Sequence, residues 1–301
     1  MPESPTTSPL AVEHPERGTL AVVALWDIDG TVNDETKPES ERLGTIAPAK
    51  KALDVLQSHN IPSGPITSRS SGEGAIYASA METTGPNICE DGAVIIPSNK
   101  PEESIILSKT DREALAAFIT FVQDKFPGEE IISTIFSTRE ELMQACGHST
   151  VEEAEKSAER HASAYVVPAS DEQRAFILDT SDEWNIRAFG EVINLIGKDA
   201  NKGKALERLD EYAATFWGEK FTGILPIIFG NNTNDVPSLK KAIELGGIGI
   251  LVSEPEGGYK VKPEDIPAST TLTNAPHGYG ILESVKTIQD QLEKRFGLIL
   301  S

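Results

Sequence analysis

The chain has 301 residues, 39% hydrophobic and 25% charged, the composition of an ordinary globular protein long enough for two domains. Its net charge of -20 disfavours nucleic acid as a partner, and no run approaches the ~18 apolar residues of a membrane span. Cys89 and Cys146 stand in no metal-type spacing, so a reducing cytoplasm is the simplest expected setting.

Residues 1–18 contain four prolines and no long apolar stretch, and are expected to be a flexible tail. The apolar run Leu20 to Trp26 then predicts a buried parallel strand. Directly behind it comes Asp27-Ile28-Asp29-Gly30-Thr31. Residues two apart on a strand share a face, so Asp27 and Asp29 project together from the strand's carboxyl end, where open α/β sheets bind ligands. Two adjacent carboxylates repel, so one takes up a proton or a cation holds both. The pair can supply a nucleophile, an acid/base and a metal ligand.

Ala47 to His59 predicts a helix with Pro48 in its first turn and Ala52, Leu53 and Leu56 on one face. A short segment to Ile66 delivers Thr67-Ser68-Arg69-Ser70, and a helix restarts near Ser71. Ile88 to Ile96 reads as a strand broken by a turn. The middle of the chain has a different texture. Capping boxes at Thr110–Glu113, Ser137–Glu140 and Thr150–Glu153 open helical patterns. β-rich runs lie between and after them at Ile131 to Phe136, Ala164 to Val167, Arg174 to Leu178 and Glu191 to Ile196. This interleaving predicts a small α+β unit. The parallel pattern resumes with a helix over Lys202 to Phe216, a strand over Ile224 to Phe229, a helix over Asp235 to Leu245, a strand over Gly247 to Val252 and a last helix over Tyr279 to Phe296. The expected organisation is therefore a tail (1–18), a first core segment (19–108), an inserted unit (109–197) and a second core segment (198–301).

Four pieces fall at strand ends or helix starts of the interrupted domain: Asp27/Asp29, Thr67, Lys202 and Gly230-Asn231-Asn232-Thr233-Asn234-Asp235. In order and context they resemble the motifs of the haloacid-dehalogenase-like phosphohydrolases, over nearly everything from residue 19 onward. That resemblance implies an α/β fold, a Rossmann-like parallel-sheet core interrupted by a type-two cap. It also implies phosphate-monoester hydrolysis with Mg²⁺. Asp27 would be the nucleophile and Asp29 the acid/base, with Thr67 holding a phosphoryl oxygen and Lys202 neutralising charge. Asp27, Asp29, Asn231 and Asp235 would serve the metal. Thr67 could instead cap the following helix, and Lys204 competes with Lys202. The family usually shows Gly-Asp-x-x-Asn-Asp in the last motif. Asn231 stands where its first acid is expected, which predicts weaker Mg²⁺ binding.

The inserted unit is similar to the cap of the mannosyl-3-phosphoglycerate phosphatases. The likeness rests on Thr67-Ser-Arg-Ser-Ser-Gly-Glu73, Glu90-Asp-Gly-Ala93, Arg139 to Gly147, Thr150 to Ala154, Ala158-Glu-Arg160 and Ala275-Pro-His-Gly-Tyr279. It implies a small phosphorylated metabolite as partner, either a glycosyl-3-phosphoglycerate or a sugar phosphate. Ser68, Arg69 and Arg160 are the candidate substrate-binding residues. Arg160 can grip a carboxylate or phosphate bidentately, or simply balance a helix end. After Arg160 the family runs through an acidic, aromatic-containing stretch. This chain reads His161-Ala-Ser-Ala-Tyr165 instead, which separates its sugar-reading part from the family's. A phosphosugar mutase and a non-catalytic binder of phosphorylated ligands are the competing readings.

Overall fold

A computed structural model describes residues 8–97, 103–110, 112–180 and 184–300. In chain order the first segment holds β1 (Ala11–His14), β2 (Gly18–Trp26), α1 (Glu39–Arg42), α2 (Ala47–Ser58), β3 (Ser63–Pro65), α3 (Ser71–Ala80), β4 (Asn87–Cys89), β5 (Val94–Ile96) and β6 (Ile105–Ile106). The middle holds α4 (Arg112–Lys125), β7 (Ile132–Ser133), α5 (Arg139–Cys146), α6 (Val151–Ser157), β8 (Ser163–Val167), α7 (Asp171–Asp179), β9 (Trp184–Phe189) and β10 (Val192–Gly197). The last segment holds α8 (Lys202–Glu211), α9 (Ala213–Trp217), β11 (Gly223–Gly230), α10 (Val236–Glu244), β12 (Ile248–Ser253), β13 (Thr271–Pro276) and α11 (His277–Phe296).

The main sheet runs β1-β2-β11-β12-β13, with β3 on the same edge of β2 as β1. β3, β2, β11, β12 and β13 are parallel. Alternation along β2 explains how the sheet is clothed. Leu20, Val22, Ala24 and Trp26 face a core shared with α2 and α11, whereas Ala21, Val23 and Leu25 face one shared with α8 and α10. Both faces are buried, so the strand is apolar throughout. This is the Rossmann-like parallel-sheet α/β core expected from the sequence, interrupted by the middle elements. The middle elements form a separate antiparallel sheet, β7-β8-β10-β9, with an apolar core of its own. No helix among the described residues is long and apolar enough to cross a membrane.

The structure departs from sequence expectation in five places, one being a break at Tyr212 that divides the helix expected over Lys202 to Phe216 into α8 and α9. Residues 11–14, expected within a flexible tail, form β1, antiparallel to β2, with Val12 buried; residues 1–7 lie outside the described residues. Arg174 to Leu178, expected as a strand, lies in helix α7. Ser170 accepts from the Gln173 N–H as N-cap, and the buried Gln173 and Ile177 sit four apart, a helical period that a short apolar run conceals. The expected Ser137 box is shifted by one residue. Thr138 and Glu141 make both of its hydrogen bonds, at 3.3 and 2.7 Å. Strands β9 and β13 were not expected; each carries polar residues that mask the period.

Candidate active site

The carboxyl ends of β2, β3 and β11 converge on one point, as the sheet order requires. Asp27 follows β2, its N–H bonded to the Phe229 carbonyl of β11 at 2.9 Å, and is almost wholly buried. Asn201 caps α8 by accepting from the Lys204 N–H, which fixes Lys202 as the first helical residue. Lys202 has no exposed surface, and its Nζ lies 2.6 Å from both Asp27 Oδ1 and Asp235 Oδ1. Lys204 points outward and reaches only the Lys198 carbonyl at 3.5 Å, so the choice between the two lysines falls on Lys202. Burial, with Asp235 beside it, pushes the Asp27 carboxyl up to about 7, and Lys202 restrains the rise. The same two carboxylates push the Lys202 ammonium above its usual range, against its own burial.

Asp29 is held quite differently. Arg69 donates to both its oxygens, at 2.8 and 2.7 Å, and Arg42 and Asn33 donate to Oδ1 at 3.1 and 3.3 Å. Burial alone would raise this carboxyl, but the Arg69 guanidinium, then Arg42, bring it down to about 2. Arg69, expected to bind substrate, is committed to Asp29, to Glu39 at 2.7 Å and to Glu73 at 3.4 Å. Glu73 also forms a capping box with Ser70 at the start of α3. Thr67 is fully buried beside the site, and its Oγ1 accepts the Arg69 N–H at 3.2 Å rather than an amide of the following helix.

Asp235 was expected among the metal-serving residues. Its Oδ1 is taken by Lys202 and its Oδ2 by the N–H groups of Asn231 and Asn232, at 2.9 and 3.0 Å. In this arrangement it ties the loop and orients the lysine. Asn231 is buried, accepts from Thr31 Oγ1 at 3.1 Å and turns Nδ2 toward Glu254 Oε1 at 3.5 Å. Gly30 makes this fit possible. It has φ +77°, and a Cβ there would sit 2.1 Å from Asn231 Nδ2. Among the described residues no three His, Cys, Asp or Glu side chains converge as a metal cluster. The oxygens that suit Mg²⁺ are the Asp27 carboxylate, the Asp29 main-chain carbonyl and the Asn231 carboxamide, a hard but lightly charged set.

Arg160 is buried as well. Its Nη1 donates to Ser163 Oγ at 2.9 Å and to the Ser68 carbonyl at 3.4 Å, and its Nη2 lies 3.6 Å from Glu73 without a hydrogen-bond partner. It joins the α3 region to the β8 strand instead of opening to solvent. Sequence reasoning missed several residues here. Glu90, fully buried, accepts from the N–H groups of His161 and Ala162 and from Ser163 Oγ, at 2.7–2.9 Å. Asp91 accepts from Arg187 on β9 and from Asn194 on β10. The acidic turn Glu90-Asp91 was visible as a motif, but only the strand pairing reveals its partners. His277 lies 3.0 Å from the Gly30 carbonyl and 3.4 Å from Asp34, and so steadies the loop that follows β2.

A buried lysine between two carboxylates at the ends of parallel strands, beside an inserted antiparallel sheet, is the arrangement expected of a haloacid-dehalogenase-like phosphohydrolase. The chain resembles such hydrolases in fold and a curated phosphatase in sequence. It is 26% identical over 274 residues to the glucosyl-3-phosphoglycerate/mannosyl-3-phosphoglycerate phosphatase of Methanococcoides burtonii, covering 86% of this chain and 92% of that protein. Its fold is similar to that of a haloacid dehalogenase-like hydrolase from Bacteroides thetaiotaomicron, with TM-score 0.62, 14% identity and coverage of 89% and 99%. It is also similar to that of a haloacid dehalogenase-like hydrolase from B. subtilis, with TM-score 0.56, 14% identity and coverage of 88% and 98%. No family model matches the chain.

Proposed function

We propose that the protein is a Mg²⁺-dependent phosphatase of a small sugar-type metabolite, a glycosyl-3-phosphoglycerate or a sugar phosphate, acting through phosphorylated Asp27. The observation that carries this reading is the Lys202 ammonium placed 2.6 Å from Asp27 and from Asp235. Among the described residues, Asp27 Oδ2 is then the one carboxylate oxygen of that trio without a hydrogen bond. A carboxylate nucleophile divides a very slow hydrolysis into two easier displacements. In the first, Asp27 Oδ2 bonds to phosphorus as the bond to the leaving alcohol breaks, and Asp29 gives that oxygen a proton. In the second, Asp29 takes a proton from water, the water oxygen bonds to phosphorus, and the bond to Asp27 breaks to release phosphate. Thr67 and Lys202 hold the phosphoryl oxygens throughout.

The strong hold of Arg69 on Asp29 keeps this carboxyl ionised at rest, which suits the second step. For the first step Asp29 must carry a proton, so docking of the substrate has to loosen that clamp. The Asp27 carboxylate, the Asp29 carbonyl and Asn231 would hold Mg²⁺, which neutralises the negative charge of Asp27 and of the phosphoryl group. The likeness of the chain over 274 residues to the Methanococcoides phosphatase supports the substrate class.

The test is phosphate release in Mg²⁺ from mannosyl- and glucosyl-3-phosphoglycerate, hexose phosphates, sucrose phosphate and nitrophenyl phosphate, with Asp27→Asn as control. Preference for a glycosyl-phosphoglycerate is the expected result. Release from hexose phosphates alone would discard that substrate class. Release unaffected by Asp27→Asn would sink the mechanism, and silence on every compound would leave a ligand-binding protein.

A further inference from the structure

The antiparallel pair β4–β5 has two apolar faces. Ile88 and Ile95 pack into the core shared with α8 and α10. Strand alternation turns Cys89, Val94 and Ile96 the other way, where they pack with Ala162 and Ala200. Asn87 lies directly across from Ile96 and two residues before Cys89, so it shares that second face and is its polar member. Helix α3 runs beside the pair. Its residues Ser71, Ala75, Ala78 and Ser79 recur at helical spacing, so one face of α3 carries only small side chains.

Small side chains on that face leave a groove of about 460 Å³, within the range of small-molecule sites. Its walls are this face of α3, Asn87 and Ile96 of the strand pair, and Glu159 and His161 of the inserted unit. Among the described residues, none of Asp27, Asp29, Thr67, Lys202 and Asn231 lines it. Ser71 joins the two units at one end. Its N–H and Oγ both donate to the Glu159 carbonyl, at 3.3 and 2.6 Å, and its Oγ lies 3.4 Å from His161 Nε2. Asn87 is only 8% exposed, and its Oδ1 has no hydrogen-bond partner. A buried acceptor without a donor is costly, and on a cavity wall a ligand can supply the missing donor.

Charge decides the class of ligand. Among the described residues no Lys or Arg lines the groove. Its two acids are exposed and already matched, Glu82 by Lys50 at 3.0 Å and Glu159 by Lys156 at 2.7 Å. Neither an anion nor a cation therefore meets an unmatched charge. What remains is the Ser71 and Ser79 hydroxyls, the Asn87 carboxamide and the His161 imidazole, with apolar Ala75, Ala78 and Ile96 between them. Donors and acceptors interleaved with apolar surface suit a molecule that alternates hydroxyl and C–H groups. We propose that this groove is a second binding site, for a neutral sugar or other polyol. One hydroxyl of the ligand donates to Asn87 Oδ1, and its C–H face lies on the small residues of α3. Such an occupant touches α3 on one side and His161 of the inserted unit on the other. The rival account is a surface groove that holds only water.

Calorimetric titration of the full-length protein with glucose, mannose and trehalose, without Mg²⁺, separates the two. At least one sugar should bind saturably in the millimolar range. Ala75 is exposed, so Ala75→Trp fills the groove from the surface and should abolish that binding. Asn87→Leu makes its face wholly apolar and should raise Kd about 3–10-fold, as loss of a hydrogen bond does. Thermal unfolding shows independently that each variant is folded. An Ala75→Trp protein that binds like the parent would overturn the proposal. So would heats that never saturate and are equal in parent and variant, the behaviour of an excluded solute. Failure of all three sugars to bind would also overturn it, and binding of spermidine in their place would replace the polyol by a cation. Phosphate release plays no part in these readouts, so failure of the phosphatase reading leaves them intact.

Discussion

Replacing Lys202 by Met should test the centre of the site more sharply than an activity loss could. The ammonium is wholly buried and bonded to two carboxylates at 2.6 Å. Met keeps the length of the stem and removes the charge. Breaking a buried ion pair by deleting one partner costs about 3–5 kcal/mol, because the remaining charge stays buried and uncompensated. Here two carboxylates are left facing each other, so the upper end of that range is expected at pH 8. The pH dependence follows from the sign of the shifts. Lys202 titrates above its unfolded value, so its contribution is complete below that value and constant between pH 6 and pH 8. In the variant, Asp27 loses the ammonium that restrained its rise, so it keeps its proton to higher pH than in the parent, where it is already pushed up to about 7. The variant's deficit should then shrink on acidification by about 1.4 kcal/mol between pH 8 and pH 6, because the parent takes up the same proton within that window. Urea unfolding in EDTA at the two pH values measures this. Adding Asp235→Asn to Lys202→Met removes the second carboxylate and should restore much of the loss. A Lys202→Met cost below about 1 kcal/mol, or one equal at both pH values, would refute the bridge.

The remaining predictions concern the metal side and the loop. Asp27, pushed up to about 7 in the absence of a cation, must lose its proton before it can attack or bind Mg²⁺. Proton and cation then compete, and the acidic limb of kcat/KM should move to lower pH as Mg²⁺ is raised, by up to one unit per tenfold until saturation. A limb that stays fixed over a hundredfold range of Mg²⁺ would count against Asp27 as a shared site. Asn231→Asp should lower the Mg²⁺ concentration at half-maximal activity and sharpen Mg²⁺ binding by calorimetry, since it adds the charge the loop lacks; equal affinities would contradict this. Gly30→Ala should destabilise the protein by about 1–3 kcal/mol in thermal unfolding, because φ is +77° and Asn231 Nδ2 occupies the Cβ position. A melting temperature within a degree of the parent would show that the loop relaxes freely.

The pairing of Asp27 with Lys202 was legible in the chain because their positions are local consequences of strand and helix ends. An apolar run with both faces buried must be a central strand, and Asp27 follows it directly. Asn201-Lys202 is a cap followed by a first turn, and the first turn of α8 points its lysine at the neighbouring strand end. The roles of Arg69, Arg160 and Asp235 were not legible, for one shared reason. Each is a charge whose meaning is its partner, and the partners lie 40, 87 and 33 residues away, at Asp29, Glu73 and Lys202. A motif states that a cation is present, but pairing decides whether it is free to meet a ligand. Arg69 reads as a substrate cation and here is paired with internal carboxylates, whereas Arg160 is buried against Ser68, Ser163 and, at 3.6 Å, Glu73. Arg187 was passed over because the polar residues of β9 hide its period, yet its guanidinium keeps an open edge. In a chain of net charge -20, attraction of an anionic substrate depends on cations at the site keeping donors free beyond those spent on its own carboxylates.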